Sequence, residues 1–479
     1  MNQRPDILVF LSDQHHAKYA GYVGHDTVRT PHMDQLAEEG TVFEAAYTSC
    51  PLCVPSRISM LTGQLPEKTG VYDNNGALGG DQATFLHGIA AAGYETVLCG
   101  RMHFLGDDQR HGFTRRIMGE MTPLYWGRYG PHRKDLGPYV GTMADQSLKI
   151  VGGGNSPVLE YDRAVIRAAL EYLQQEHHKP QCIVVGTYGP HHTFVAPPEL
   201  YQHYKPIAGI PDSFYRENEH PALQELREQF QALNEDNLIK VRAAYLGMIE
   251  TIDGQLGEVR SAWREYLKRS GRPGVFVYMS DHGEQAGEQR LLGKSTFYEG
   301  SAAIPMIISG HEVIEGRRVS QPVSIMDLGP TLCEIAGADT PPRPDGISLK
   351  PLIAGGPESD RYVISECMAN VDGKPVPGRM LRWRQWKYVS YAALDSHDML
   401  FDLSADPCEL NNLAADRTDI AQSLRDTLYQ SWNIPAIVEK HTAKVEHHRL
   451  LSKWGYIVDV AEPERWPVPK EATALPVVE

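Results

Sequence analysis

The sequence predicts an α/β fold: a large, mostly parallel sheet sandwiched by helices, then a smaller C-terminal α+β domain containing an antiparallel sheet. Continuous apolar, β-branched runs recur along the chain, as expected for strands buried on both faces. Segments with the three-and-four apolar spacing of one-faced helices separate them, and 43 glycines with 33 prolines suit many short strand–helix loops. In chain order, residues 7–11 read as a strand and 31–39 and 85–92 as helices. Next come a strand at 95–99, a helix at 161–174 and a strand at 182–186. The clearest helix is 238–256, where Val241, Tyr245, Met248, Ile252 and Leu256 share one face. Strands follow at 275–279 and 306–309. The Gly/Pro/Ser/Asp stretch 351–360 reads as a linker, which divides the chain into 1–358 and 359–479. Beyond it, 362–367, 379–383 and 386–391 look like short, exposed antiparallel strands. A helix is expected around 420–432, and an extended, Pro-rich tail after Gly455.

Charge and composition narrow the function. The 479 residues carry 46 basic and 61 acidic side chains, a formal charge of −15, with 42% hydrophobic and 22% charged residues. That profile fits a globular enzyme and argues against a nucleic-acid binder or a polybasic membrane-surface protein. No apolar span reaches the ~20 residues of a membrane helix, and the N-terminus does not look like a secretory signal. Seven scattered cysteines (50, 53, 99, 182, 333, 367 and 408) read as reduced thiols, which points to the cytoplasm.

Chemistry gathers at the carboxyl ends of strands in such sheets. Asp13 and Gln14 follow the first strand, and Asp281 and His282 follow the one at 275–279. Either pair alone is an ordinary helix cap; together they suit a divalent cation. In Cys50-Pro51-Leu52-Cys53-Val54-Pro55-Ser56-Arg57, Pro55 is placed to open a helix. That leaves Cys53 at a helix N-terminus, where backbone N–H groups favour anions, beside the forked cation of Arg57. Arg101, His103, His191 and Lys294 lie after other strands and suggest a pocket that stabilises negative charge.

These strings resemble the type I sulfatase family of the alkaline-phosphatase-like superfamily. Cys53-Val54-Pro55-Ser56-Arg57 with Leu61-Thr62-Gly63 is similar to its Cys-x-Pro-Ser-Arg-x-x-x-Leu-Thr-Gly signature. The likeness continues through Gly100-Arg101-Met102-His103, Pro190-His191-His192, Ser280-Asp281-His282-Gly283 and Gly293-Lys294. The resemblance implies that a maturation enzyme oxidises Cys53 to Cα-formylglycine, with Cys50 a buried thiol. It implies metal ligands Asp13, Gln14, modified Cys53, Asp281 and His282, with calcium ranked narrowly before manganese. Arg57 would hold the hydrated aldehyde, His103 would act as base, and His191 and Lys294 would bind sulfate. Arg101 replaces the family's usual lysine. Choline sulfatases are the nearest in motifs, through Val71-Tyr72-Asp73-Asn74 and Phe297-Tyr298-Glu299-Gly300-Ser301 among others. That likeness makes Asn74, Trp126 and Glu366 candidates for the substrate pocket, with His15 and His16 either lining it or lying on a solvated loop. The expected reaction is hydrolysis of a small-molecule or saccharide sulfate ester. A phosphodiesterase or phosphonate monoester hydrolase and a non-catalytic sulfated-ligand binder are the alternatives, and homo-oligomer formation stays open.

Overall fold

The computed structural model describes residues 4–128, 134–139, 148–216 and 220–477. Eight strands form the large sheet: β1 (Asp6–Asp13), β2 (Gly40–Phe43), β3 (Glu95–Gly100), β4 (Arg115–Met118), β5 (Gln181–Pro190), β6 (Gly274–Ser280), β7 (Met306–Gly310) and β8 (Arg317–Val319). Their spatial order is β8-β2-β7-β6-β1-β5-β3-β4. Only β7 runs against the rest. All five strands expected from the apolar runs are present. The three that were not, β2, β4 and β8, have three or four residues each, too few for an apolar run to stand out.

The centre of the sheet is β1, parallel to both neighbours, with Val9 opposite Val184 of β5 and Val277 of β6. Alternate side chains of a strand face opposite ways. Leu8 and Phe10 therefore enter one core cluster, and Ile7, Val9 and Leu11 enter another. Two long helices supply the first, α2 (Pro157–Leu173) and α3 (Glu235–Ser270). The second is covered by α1 (Cys53–Thr62) with the helices Phe85–Ala91 and Leu328–Ala336. Helix α3 begins at a reciprocal cap between Asn234 and Asn237 and ends at Gly271, whose φ of +67° suits glycine. It runs well past the expected 256. Val259, Trp263 and Tyr266 continue the buried stripe, but charged residues between them mask it in the sequence.

The second sheet is antiparallel, with strands β9 (Tyr362–Val371), β10 (Lys374–Trp383), β11 (Trp386–Tyr391) and β12 (Met399–Asp402) in that order. The expectation of short, exposed strands is corrected: two have ten residues, and Glu366, Arg379 and Lys387 are fully buried. One side packs with Tyr47, Tyr298 and Ala303 of the large unit. The other meets Leu424 and Leu428 of α4 (Thr418–Tyr429). The tail after α4 also departs from expectation. A 25-residue helix, α5 (Ile434–Val458), precedes the extended segment. Only Ile437 and Gly455 are buried along it, so the sequence carries no apolar stripe to announce it. The last segment docks by backbone: Glu120 donates to the Glu464 carbonyl and accepts from Trp466 N–H, at 3.0 and 2.8 Å.

Candidate active site

Parallel strands bring their carboxyl ends to one edge of the sheet, and the site lies there. Asp13 is the last residue of β1, and Asp281 and His282 directly follow β6. Cys53 lies at the helix N-terminus as expected, but α1 opens at Cys53 itself, after extended Leu52 and two residues ahead of Pro55. The side chain of Leu52 caps nothing. Instead Asn74 Oδ1 accepts the Val54 N–H at 3.0 Å from another loop.

Four of the predicted ligands converge. One donor atom from each of Asp13, Cys53, Asp281 and His282 lies within 4.8 Å of all the others, and all four residues are buried. His282 Nε2 stands 3.2 Å from the sulfur and 3.7 Å from Oδ1 of each aspartate. Arg57 fixes the carboxylates from behind, donating to Asp281 Oδ2 at 2.8 Å and Asp13 Oδ2 at 3.0 Å. Oδ1 of both aspartates is left facing the sulfur and the imidazole. Gln14 joins this group with φ +69°, unusual for a non-glycine residue. Its backbone N–H donates to Asp281 Oδ1 at 3.1 Å, and its Oε1 accepts from Lys294 Nζ at 2.6 Å. The amide is oriented by a short contact from Nε2 to the buried Glu284 carboxylate.

The sulfur is ringed by cationic and polar groups. Lys294 Nζ is 3.0 Å away, and His103 and His191 hydrogen-bond to it. Burial pushes the thiol up, but Lys294, His282 and these hydrogen bonds outweigh it and hold the group well below the usual thiol range. Asp13 is likewise held below the carboxylate range: burial and the sulfur raise it, while Arg101, His191 and Arg57 more than offset them.

Arg101 is buried beside Asp13. Its Nε donates to Asp13 Oδ2 at 2.5 Å, Nη1 reaches Glu120 at 3.3 Å, and Nη2 lies 3.0 Å from His103 Nδ1. Its guanidinium stacks 4.1 Å over the Tyr188 ring. Glu120 is the anchor of this corner. Its carboxylate also accepts backbone N–H groups of Met102, His103, Met121 and Thr122 at 2.9–3.3 Å, which holds His103 at φ +61°. Burial raises Glu120, but Arg101, His103, Arg116 and the His103 N–H bring it down to about 2.

Cys53, Asn74, Arg101, His103, His191 and Lys294 line a cavity of about 490 Å³. Two pocket candidates fall elsewhere. Trp126 stands behind the wall, its indole N–H donating to the Asn75 carbonyl at 2.7 Å and its ring stacked on His448. Glu366 is locked in β9, paired at 2.7 Å with Arg379 and accepting the Tyr72 hydroxyl and Glu67 N–H. Its burial is satisfied by an ion pair, so no ligand is needed to explain it. His15 and His16 are neither pocket-lining nor solvated. Both are buried, His15 against Tyr278 at 2.6 Å and His16 against Glu288 at 3.1 Å. Cys50 is a buried free thiol.

The sequence reading missed Glu120, Glu284, Tyr188 and the contact of His192 with Gln14 at 3.4 Å. Glu284 directly follows Asp281-His282-Gly283, so its neighbours offered a clue. A lone Glu between Gly119 and Met121 offers none.

A buried sulfur set among two carboxylates, an imidazole and a cationic rim, at the carboxyl edge of a mostly parallel sheet, is an arrangement suited to an α/β-class enzyme acting on an anionic ester. The chain belongs to the sulfatase family. The Sulfatase profile matches residues 5–338, and the N-sulphoglucosamine sulphohydrolase C-terminal profile matches 287–433. A choline-sulfatase of Rhizobium meliloti is 32% identical over 458 residues, covering 90% of this chain and 88% of that protein. Arylsulfatase K of Danio rerio is 28% identical, covering 91% and 85%. Among solved structures, a phosphonate monoester hydrolase of Agrobacterium radiobacter superposes with a TM-score of 0.73 at 23% identity, covering 88% of this chain and 94% of that one. A 2-O GAG sulfatase gives 0.67 at 24%, covering 96% and 94%. The protein is a sulfuric ester hydrolase with the large mixed sheet and separate antiparallel sheet of these neighbours.

Proposed function

We propose that this protein hydrolyses a sulfate monoester to an alcohol and inorganic sulfate through a formylglycine made from Cys53, with a divalent metal beside it. The observation that carries the reading is the clustering of four buried donor atoms, the Cys53 sulfur among them, within 4.8 Å of one another, with the Lys294 ammonium 3.0 Å from the sulfur.

The residues fit a cation. Two aspartates present Oδ1 inward while Arg57 and Arg101 neutralise their outer oxygens. Gln14 Oε1 and His282 Nε2 complete a set of mainly hard donors. Calcium ranks first on the oxygen count, and the imidazole keeps manganese as competitor. Asp13, Gln14, residue 53, Asp281 and His282 would hold the ion, which when bound polarises a sulfate oxygen and lowers the pKa of a nearby hydroxyl. A formylglycine hydrate supplies two hydroxyls on one carbon, one to attack sulfur and one whose deprotonation expels sulfate.

The surrounding side chains fulfil the remaining needs. Arg57 neutralises the aspartate pair and holds it rigid. Lys294, His191 and Arg101 face the anionic group and stabilise the charge that develops on it. His191, its Nδ1 2.6 Å from the His192 carbonyl and its ring hydrogen-bonded to the residue 53 sulfur, would serve the leaving oxygen. His103, positioned by Glu120 through its backbone, is the base for the proton that frees sulfate.

All seven cysteines are free, and no helix among the described residues is long and apolar enough to cross a membrane. We place the enzyme in the cytoplasm on the first of these, matured there by a formylglycine-generating partner. Intact-peptide mass after expression in a competent host tests the central claim: the Cys53 peptide should be lighter by about 18 mass units. A fully active enzyme with an unmodified thiol would refute it. Paired aryl sulfate and aryl phosphonate substrates test the reaction class, and the sulfate is expected to have the higher kcat/KM.

A further inference from the structure

Beside the groups that would face sulfate, the same cavity carries a second, apolar set of lining residues. Leu136, Tyr139, Val158, Leu226, Phe230 and Leu292 form its wall, from four separate stretches of the chain. Five of the six are at most 5% exposed, and Leu226 is half-buried. Tyr139 adds a ring but not a free hydroxyl, because its O–H lies at 2.9–3.0 Å from the Ala474 and Asn155 carbonyls. The charged side chains on the cavity surface are Arg101 and Lys294, with three histidines. Among the described lining residues there is no carboxylate. The two groups that the sequence offered for a quaternary ammonium, Trp126 and Glu366, are used elsewhere.

We infer that the leaving group of the natural substrate is an uncharged, apolar alcohol of about ring size, aryl or branched alkyl. This rests on the Cys53-centred reading above and adds the substrate class to it. An apolar group entering this chamber gains the burial of its own surface and covers the wall. A quaternary ammonium there would sit beside Arg101 and Lys294 with no counter-charge among the described lining residues, and unpaired buried charge is costly. A hexose could use Asn74, Asn75, Thr122, Thr193, Gln229 or Ser295 of the same lining, but any hydroxyl turned to the six apolar side chains would lose its hydrogen bond. The chamber therefore disfavours a choline-type alcohol on electrostatic grounds.

The discriminating pair is choline sulfate and 3,3-dimethylbutyl sulfate, which share shape and leaving-group position and differ in replacing N⁺ by carbon. With matured, metal-loaded enzyme, sulfate release should give a kcat/KM at least about tenfold higher for the neutral isostere, since the charged one enters unpaired. It should also exceed glucose 6-sulfate, and 4-nitrophenyl sulfate serves as positive control. Leu226→Asp, at a half-buried position that tolerates a polar group, should shrink the neutral-to-cationic ratio by about tenfold. Choline sulfate or glucose 6-sulfate turned over as well as the isostere would overturn the assignment and leave the sulfatase reading standing. Sulfate release from none of the four esters would bring down that reading and this assignment with it.

Discussion

At the scale of single residues, the site depends on charges that are buried but completely paired. Cys53 sits at the first position of α1, and its side chain contributes chemistry, not core volume. Cys53→Ala should abolish sulfate release while leaving the melting temperature within a few degrees of wild type. Asp281 receives Arg57, Gln14 N–H and His282 N–H. Asp281→Asn keeps the shape and removes the charge, so a metal titration followed by calorimetry should show affinity lowered by at least about tenfold. Glu120 touches no reacting atom. It is a positioning residue whose neutral isostere, Glu120→Gln, should lower kcat about 10- to 100-fold with a smaller change in KM. Its titration has a definite sign. The carboxyl is held at about 2 in the folded state, below its unfolded value. The stabilisation is therefore complete above roughly pH 4.5 and disappears as pH falls toward 2. By linkage it amounts to about 3 kcal/mol. Urea melts between pH 5 and 3 should show this loss in the wild type and a flatter profile in Glu120→Gln.

At the scale of elements, the C-terminal helix and tail act on a site they do not enter. Helix α5 lies against the loop that carries Trp126, and Trp126 in turn holds Asn75 of the cavity wall. The approach is close: a Cβ on Gly455 would meet the Trp126 carbonyl oxygen at 2.2 Å. Backbone cannot yield as a flexible side chain does, so Gly455→Ala should cost about 1–3 kcal/mol and raise KM more than it lowers kcat. Thermal melts and steady-state kinetics on the same preparation check both parts. The segment beyond α5 fastens Glu120 by two backbone hydrogen bonds, and Trp466 packs edge-on against Tyr161, next to Tyr188 beneath Arg101. An extended tail was expected from its prolines. Its attachment behind the sulfate-facing corner follows from which strand edge it reaches.

At the scale of the whole molecule, the two sheets are joined by a buried ionic seam. Lys387 of β11 is fully buried and pairs with Glu299 at 2.9 Å and Glu409 at 2.7 Å. Arg382 of β10 donates to the Tyr47 hydroxyl at 2.9 Å. Lys387→Met would strand two carboxylates in the interior, and loss of one partner from a buried network costs about 3–5 kcal/mol. Differential scanning calorimetry should show a lower transition for the entire chain, because the seam ties both sheets together.

What the sequence determined by itself were features written in contiguous residues. Strands β1, β3, β5, β6 and β7 are legible because a strand buried on both faces must be apolar throughout. The Cys53 motif, the Asp13–Gln14 pair and the Asp281–His282 pair are legible because each is a short string at a strand or helix end. Tertiary structure alone decided how these strings meet: the parallel pairing of β1 with β6 closes the 268 residues between Asp13 and Asp281, and the packing of α1 against the sheet brings Cys53 to them. It also decided against Trp126 and Glu366 as pocket groups. A side chain's type announces what it can bind, but its partner, Asn75 for one and Arg379 for the other, depends on which backbone segments pack beside it. Glu120 and the apolar chamber were hidden for the same reason: each is assembled from distant segments, and no local pattern encodes an assembly of that kind.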